Sequence, residues 1–172
     1  MLSRYVTNSI YFLQGYFLQI FFVYLGIDNQ KEIEYYGEAH LSSYNSYIHT
    51  ICMPGTILGI LLWVPVIFSS TKKEAIEFHN MVFYTYIGLY CYISFLYSFF
   101  VYVLYYPSLY YANILYSNTL MKGFQGFLCM FFCLGVQEYI GHYLQGDIPS
   151  RPEGVPNAIL YAPYYSVYHI CN

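Results

Sequence analysis

Three stretches of this sequence, Ile10–Ile27, Ile51–Phe68 and Met81–Tyr106, contain no Asp, Glu, Lys, Arg or His. A fourth, Phe124–Tyr143, carries only Glu138 and His142. Each matches the roughly 20 residues that a helix needs to cross a hydrocarbon core. Inside lipid, backbone N–H and C=O groups must be satisfied within the segment or by a closed barrel. No alternating ten-residue pattern points to a barrel. The expected fold is therefore all-α: a multi-pass transmembrane helical bundle of about four spanning helices, with shorter interfacial or re-entrant helices.

Composition agrees. Charged residues make up 9% and hydrophobic residues 58% of the 172 positions, whereas a soluble domain carries about 25% charged residues. So few charges would not cover a globular surface in water. The length suits one domain, and neither a repeat nor a linker divides it. The lipid bilayer is the expected partner. Net charge is −3 and the six Lys and Arg are scattered, so nucleic acid is excluded as a partner. The basic residues do not set a membrane orientation when counted along the chain. The 25 tyrosines suit a headgroup boundary, where an apolar ring meets a wet hydroxyl. The five cysteines include no C-x-x-C pair and read as small buried hydrophobes. No charge ladder or inverted repeat suggests a transporter.

Along the chain, Ile10–Ile27 follows a single basic residue, Arg4, and has no small-residue cleavage site. It reads as a retained anchor or a helix lying against others. Asp28–Glu38 is a polar connector. Pro107 is expected to stop the third run, and Ser108–Met121 to form a separate re-entrant or interfacial piece that Lys122-Gly123 breaks. Ala158–Ile170 is too short to cross upright, contains Pro163, and is expected to pack along an interface.

The polar residues at the ends of these runs carry the chemistry. Ionisable side chains at membrane depth are costly and frequently functional. Tyr36 and His40, Asn45 and His49, and Glu138 and His142 are each four residues apart, so each pair shares a helical face. His40 and His49 lie nine apart, about half a turn out of phase on one helix. They converge only if the chain breaks between them, and Ser42-Ser43 offers that break with a capping residue. Spacing does not decide whether His142 meets them. His79, beside Asn80, reads as a fourth ligand or as a helix-start residue near the surface. His169 reads as structural.

The series Tyr36, His40, Asn45, His49 and Pro54, then Gly141-His142, Arg151-Pro152 and Ala162-Pro163, resembles one family. These are the small endoplasmic-reticulum membrane proteins typified by the fungal 2-hydroxy fatty acid dioxygenase of phytosphingosine breakdown. The resemblance makes residues 1–172 a single membrane domain, with a family core over 36–165 and an added N-terminal helix and connector over 1–35. It implies non-haem Fe(II) held by His40, His49 and His142, O2 as co-substrate, and cleavage of a 2-hydroxy fatty acid to an acid one carbon shorter. Tyr36, Asn45 and Glu138 become candidates for orienting the imidazoles. Asp147 stands beside Gly146, which takes the place of the family's Glu. The implied location is the endoplasmic reticulum. The alternative is a non-catalytic accessory or structural subunit of a larger membrane complex on the same fold, with no cofactor, partnered by other membrane subunits, for example in the mitochondrial inner membrane.

Overall fold

A computed structural model describes residues 2–40, 42–117, 119–146 and 155–171. Among the described residues the regular structure is entirely helical. The helices are α1 (Leu2–Tyr24), α2 (Asn29–Glu38), α3 (Ser43–Trp63), α4 (Pro65–Phe68), α5 (Lys72–Ile93), α6 (Phe95–Leu115), α7 (Leu120–Val136) and α8 (Val155–Cys171). A π-helix over Gln137–Tyr143 extends α7.

Two helical segments are long and apolar enough to cross a membrane, Ser43–Phe68 and Leu120–Tyr143. Arg4–Tyr24 and Asn29–Glu38, bent by 90°, make a third if they form one broken span. Four spans were expected, and the difference lies chiefly in the third run. Met81–Tyr106 is not one helix. Ser94 adopts an extended backbone (φ −159°, ψ 120°), ends α5, and caps α6 by accepting from the Tyr97 N–H. Pro107 does not stop α6 but sits inside it, and Ser108–Leu115 is the second half of the same helix. Nor does Lys122-Gly123 break a helix. Thr119 caps α7 by accepting from the Lys122 N–H. Side-chain capping, absent from a hydropathy pattern, sets these boundaries.

At Pro65 and Pro163, neighbouring helices satisfy the carbonyls that the prolines release. A proline removes the N–H that would bond four residues back. For Pro65 that carbonyl belongs to Leu61, and it accepts from His79 Nε2 at 2.6 Å. For Pro163 it belongs to Ile159, and it accepts from the Tyr86 hydroxyl at 3.1 Å. Helices in lipid commonly tolerate proline by such means.

α3 and α7 pack antiparallel: Gly126 meets Leu62 and Trp63, and Gly141 meets Asn45 and His49. α5 and α6 are also antiparallel, with the Ser98 hydroxyl on the Ile87 carbonyl and His79 on Asn113. α1 runs parallel to α5, placing Tyr11 beside Thr85 and Tyr16 beside Tyr92. Their crossing is close. A Cβ on Gly15 would stand 1.8 Å from the Thr85 carbonyl oxygen, and one on Gly88 would stand 1.9 Å from that of Phe12. Small residues let helix backbones approach where lipid supplies no hydrophobic drive.

Aromatic burial runs against simple hydrophobicity. The buried rings are Tyr90, Tyr105, Tyr116, Tyr161, Tyr164 and Phe83, whereas Phe17, Phe95, Phe131 and Phe132 are exposed. Inside the bundle a tyrosine hydroxyl can find a carbonyl, as Tyr90 does on Leu160 at 2.6 Å. Outside, a phenyl ring suits lipid better. The short C-terminal helix α8 lies against α2, α3 and α6. Tyr161 donates to Asn29 on α2 at 2.8 Å, and the Thr50 hydroxyl on α3 donates to the Ser166 carbonyl at 3.1 Å. This end of the bundle holds the site.

Candidate metal centre

The chain breaks where the histidine spacing requires it. α2 closes on Ala39, and the His40 N–H bonds the Gly37 carbonyl at 2.9 Å. Ser42 then takes the N-cap position of α3 with extended backbone (φ −79°, ψ 130°). This reversal turns His40 back toward the first turns of α3, where Asn45 and His49 face inward.

His142 arrives from the far end of α7. Because α3 and α7 are antiparallel, the start of one meets the end of the other. The π-helix has i→i+5 bonding, which puts Gln137 and His142 on one face. Both are buried, as is Gly141, which packs against Asn45 and His49 of α3. A Cβ at Gly141 would stand 2.6 Å from Asn45 Oδ1, so glycine permits this approach.

The imidazoles of His40, His49 and His142 thus offer three nitrogens within 4.8 Å of one another. All three residues are buried, His142 fully. The Nε2 atoms of His49 and His142 are 3.2 Å apart. With metal–nitrogen bonds of about 2.1 Å, that separation subtends roughly 100° at a shared ion. This angle lies between octahedral and tetrahedral values. The donor set fits a divalent metal: three imidazoles, as in catalytic sites that keep a further position open. Among the described residues no carboxylate joins the group.

Surrounding contacts orient the rings. His40 Nδ1 donates to the Tyr36 carbonyl at 2.8 Å. That bond sets the tautomer and leaves Nε2 as the ligand atom. The Tyr36 ring stacks on His40 with centroids 4.4 Å apart and planes 20° apart. Asn45 Nδ2 donates to the Ala39 carbonyl at 3.1 Å and lies 3.3 Å from His142 Nδ1. One amide therefore ties the turn before α3 to the π-helix. Among the described residues, His49 Nδ1 is buried without a hydrogen-bond partner.

Of the expected site residues, the fold brings together His40, His49, His142, Tyr36 and Asn45. His79 is elsewhere. It is neither a fourth ligand nor a helix-start residue, but sits inside α5 fully buried. Its two nitrogens are engaged by the Leu61 carbonyl and by Asn113 at 2.8 Å. Glu138 is exposed, because the π turn carries its neighbour Gln137 inward instead. The buried Gln137 amide donates to Thr56 at 2.9 Å and to the Cys133 carbonyl at 3.2 Å, fixing the register that presents His142. Asp147 and Arg151-Pro152 lie outside the described residues.

Sequence spacing did not reveal Tyr165. Its ring lies 5.0 Å from Tyr36 and 5.5 Å from His40 by centroids. Gly37 accommodates it, since a Cβ there would stand 3.2 Å from the Tyr165 hydroxyl. Only the packing of α8 on α2 brings it there. Comparison with family models, with curated proteins and with solved structures returns no match.

Proposed function

We propose that the chain is a membrane-embedded non-haem iron protein of the 2-hydroxy fatty acid dioxygenase type, resident in the endoplasmic reticulum. The observation that carries this reading is the convergence of His40, His49 and His142 from three separate segments on one buried point. His40, His49 and His142 would hold Fe(II). Bound there, iron supplies open positions for a 2-hydroxy carboxylate and for O2, with oxidative loss of one carbon as the outcome. The chain's own residues do the rest. The Tyr36 carbonyl fixes the His40 ring. Asn45 holds the turn and the π-helix together. Burial excludes water from the imidazoles. An acyl chain would lie in the lipid layer against the apolar outer faces of α3 and α7.

A second reading has its own observation. Asn45, His142 and His49 also form a chain of hydrogen bonds with no metal: Asn45 to His142, and His142 to His49 at 3.2 Å. Such a chain would pin α3 to the π-helix in a non-catalytic subunit of a membrane complex.

Elemental analysis of the purified chain beside His49→Ala separates the two. About one iron per wild-type chain, lost in the variant, supports the enzyme and justifies an oxygen-consumption assay with 2-hydroxy fatty acids. Carefully prepared wild-type protein without stoichiometric metal sinks the enzyme and leaves the hydrogen-bonded subunit.

A further inference from the structure

The fold sorts the charges that the linear sequence leaves scattered. One end of the bundle is formed by the turn between α4 and α5 and by the start of α7. It carries Lys72, Lys73 and Lys122, against Glu74 and Glu77. Both acids are already engaged. Glu74 closes the capping box of α5, and Glu77 lies 3.9 Å from Lys73. The other end holds the histidine centre. It carries Asp28, Glu32, Glu34, Glu38 and Glu138 against Lys31 alone among the described residues.

The distance between the ends matches a bilayer. On α3, exposed Tyr44 and Tyr47 stand at the histidine end and Trp63, the chain's one tryptophan, at the other. From Tyr44 to Trp63 is roughly 28 Å at 1.5 Å per residue, close to the ~30 Å of hydrocarbon. On α7 and its extension, Lys122 and Glu138 bracket an outward face of Phe124, Leu128, Phe131 and Phe132. Tyr139 and Tyr143 are exposed at the histidine end, level with Tyr44. Aromatic residues gather at membrane–water boundaries and basic residues flank spans on the cytoplasmic side.

We propose that the Lys72–Lys73–Lys122 end docks on the anionic headgroups of a cytoplasmic leaflet, so that the histidine centre lies toward the opposite membrane face. Each lysine near such a leaflet favours it by about five-fold in partition. The acidic histidine end is repelled by the same surface. The inference rests on the two spans and the charge placement, not on the identity of any metal. It also requires that a substrate of the centre be presented from the non-cytoplasmic leaflet.

The four lysines allow a test on the unaltered chain. In microsomal vesicles sealed with the cytoplasmic leaflet outward, a membrane-impermeant amine reagent is followed by mass spectrometry. Lys72 and Lys73 should be modified about ten-fold more than Lys31, with the difference abolished by detergent. Lys31 and Lys73 have side chains 80% and 86% exposed, so intrinsic access does not bias the comparison. Modification of Lys31 with Lys72 and Lys73 spared overturns the proposal, as does equal modification of all three in intact vesicles. The headgroup partner is tested with the purified chain in bilayer discs, where both faces are open. Phosphatidylserine should slow modification of Lys72 and Lys73 relative to phosphatidylcholine alone while leaving Lys31 unchanged. Equal rates in the two lipids overturn the anionic partner.

Discussion

His49 and His142 stand 93 residues apart in sequence and 3.2 Å apart at their Nε2 atoms. The antiparallel packing of α3 on α7 accounts for the approach, and the π turn supplies the last rotation. Either a shared metal or a shared proton must occupy that gap, because two bare lone pairs would repel there.

Removal of His142 should abolish metal binding, whereas removal of His79 should not. His142→Ala deletes one of the three imidazoles that could hold the metal. His79→Ala instead leaves the Leu61 carbonyl and Asn113 without their partner, each buried group costing about 1–3 kcal/mol. Metal titration and thermal unfolding, run together, should move in opposite ways for the two variants. Equal metal loss in both would remove His79 from its purely structural role.

Asn45→Ala should weaken metal binding by about 10–100-fold, the usual effect of losing a group that orients a ligand. Asn45→Asp tests the mechanism. It replaces the Nδ2 that reaches both the Ala39 carbonyl and His142 Nδ1 with an oxygen, which cannot donate to that carbonyl and can only accept from a protonated His142 Nδ1. Competition titrations with a chromogenic chelator would read both, and unchanged affinity in Asn45→Ala would remove it from the site.

Gly88→Val should detach α1 from α5. A Cβ there meets the Phe12 carbonyl at 1.9 Å, and backbone cannot yield as a side-chain tip can. Overpacking of this kind costs about 1–3 kcal/mol or more. Gly135 has nothing within 4 Å of its Cβ position, so Gly135→Ala should be neutral or stabilise by up to about 1 kcal/mol through helix propensity. Comparative melting in one detergent distinguishes them, and equal melting would refute the close crossing.

The site is more legible in the sequence than the span count. The four-residue spacings of Tyr36 with His40 and of Asn45 with His49, and the break at Ser42-Ser43, follow from helical geometry alone. Spacing did not say which side of the turn before His142 points inward: Glu138 is exposed, whereas Gln137, five residues before His142, is buried with it. Apolar runs located the spans of α3 and of α7 with its extension. They failed over Met81–Tyr106, where one serine cap outweighs a continuous apolar pattern.

Sequence by itself determined that the chain is helical, that it is apolar enough for lipid, and that its imidazoles stand at the ends of apolar runs. Periodicity and composition act locally, and these properties are local. Tertiary structure decided that His142 joins His40 and His49 while His79 instead satisfies the carbonyl released by Pro65. It also decided that Tyr165 packs beside the centre and that scattered charges separate to two ends. Each of these depends on which helices lie side by side and in which direction. Close approaches at glycine and hydrogen bonds between distant residues set that arrangement, and neither leaves a periodic trace in the chain.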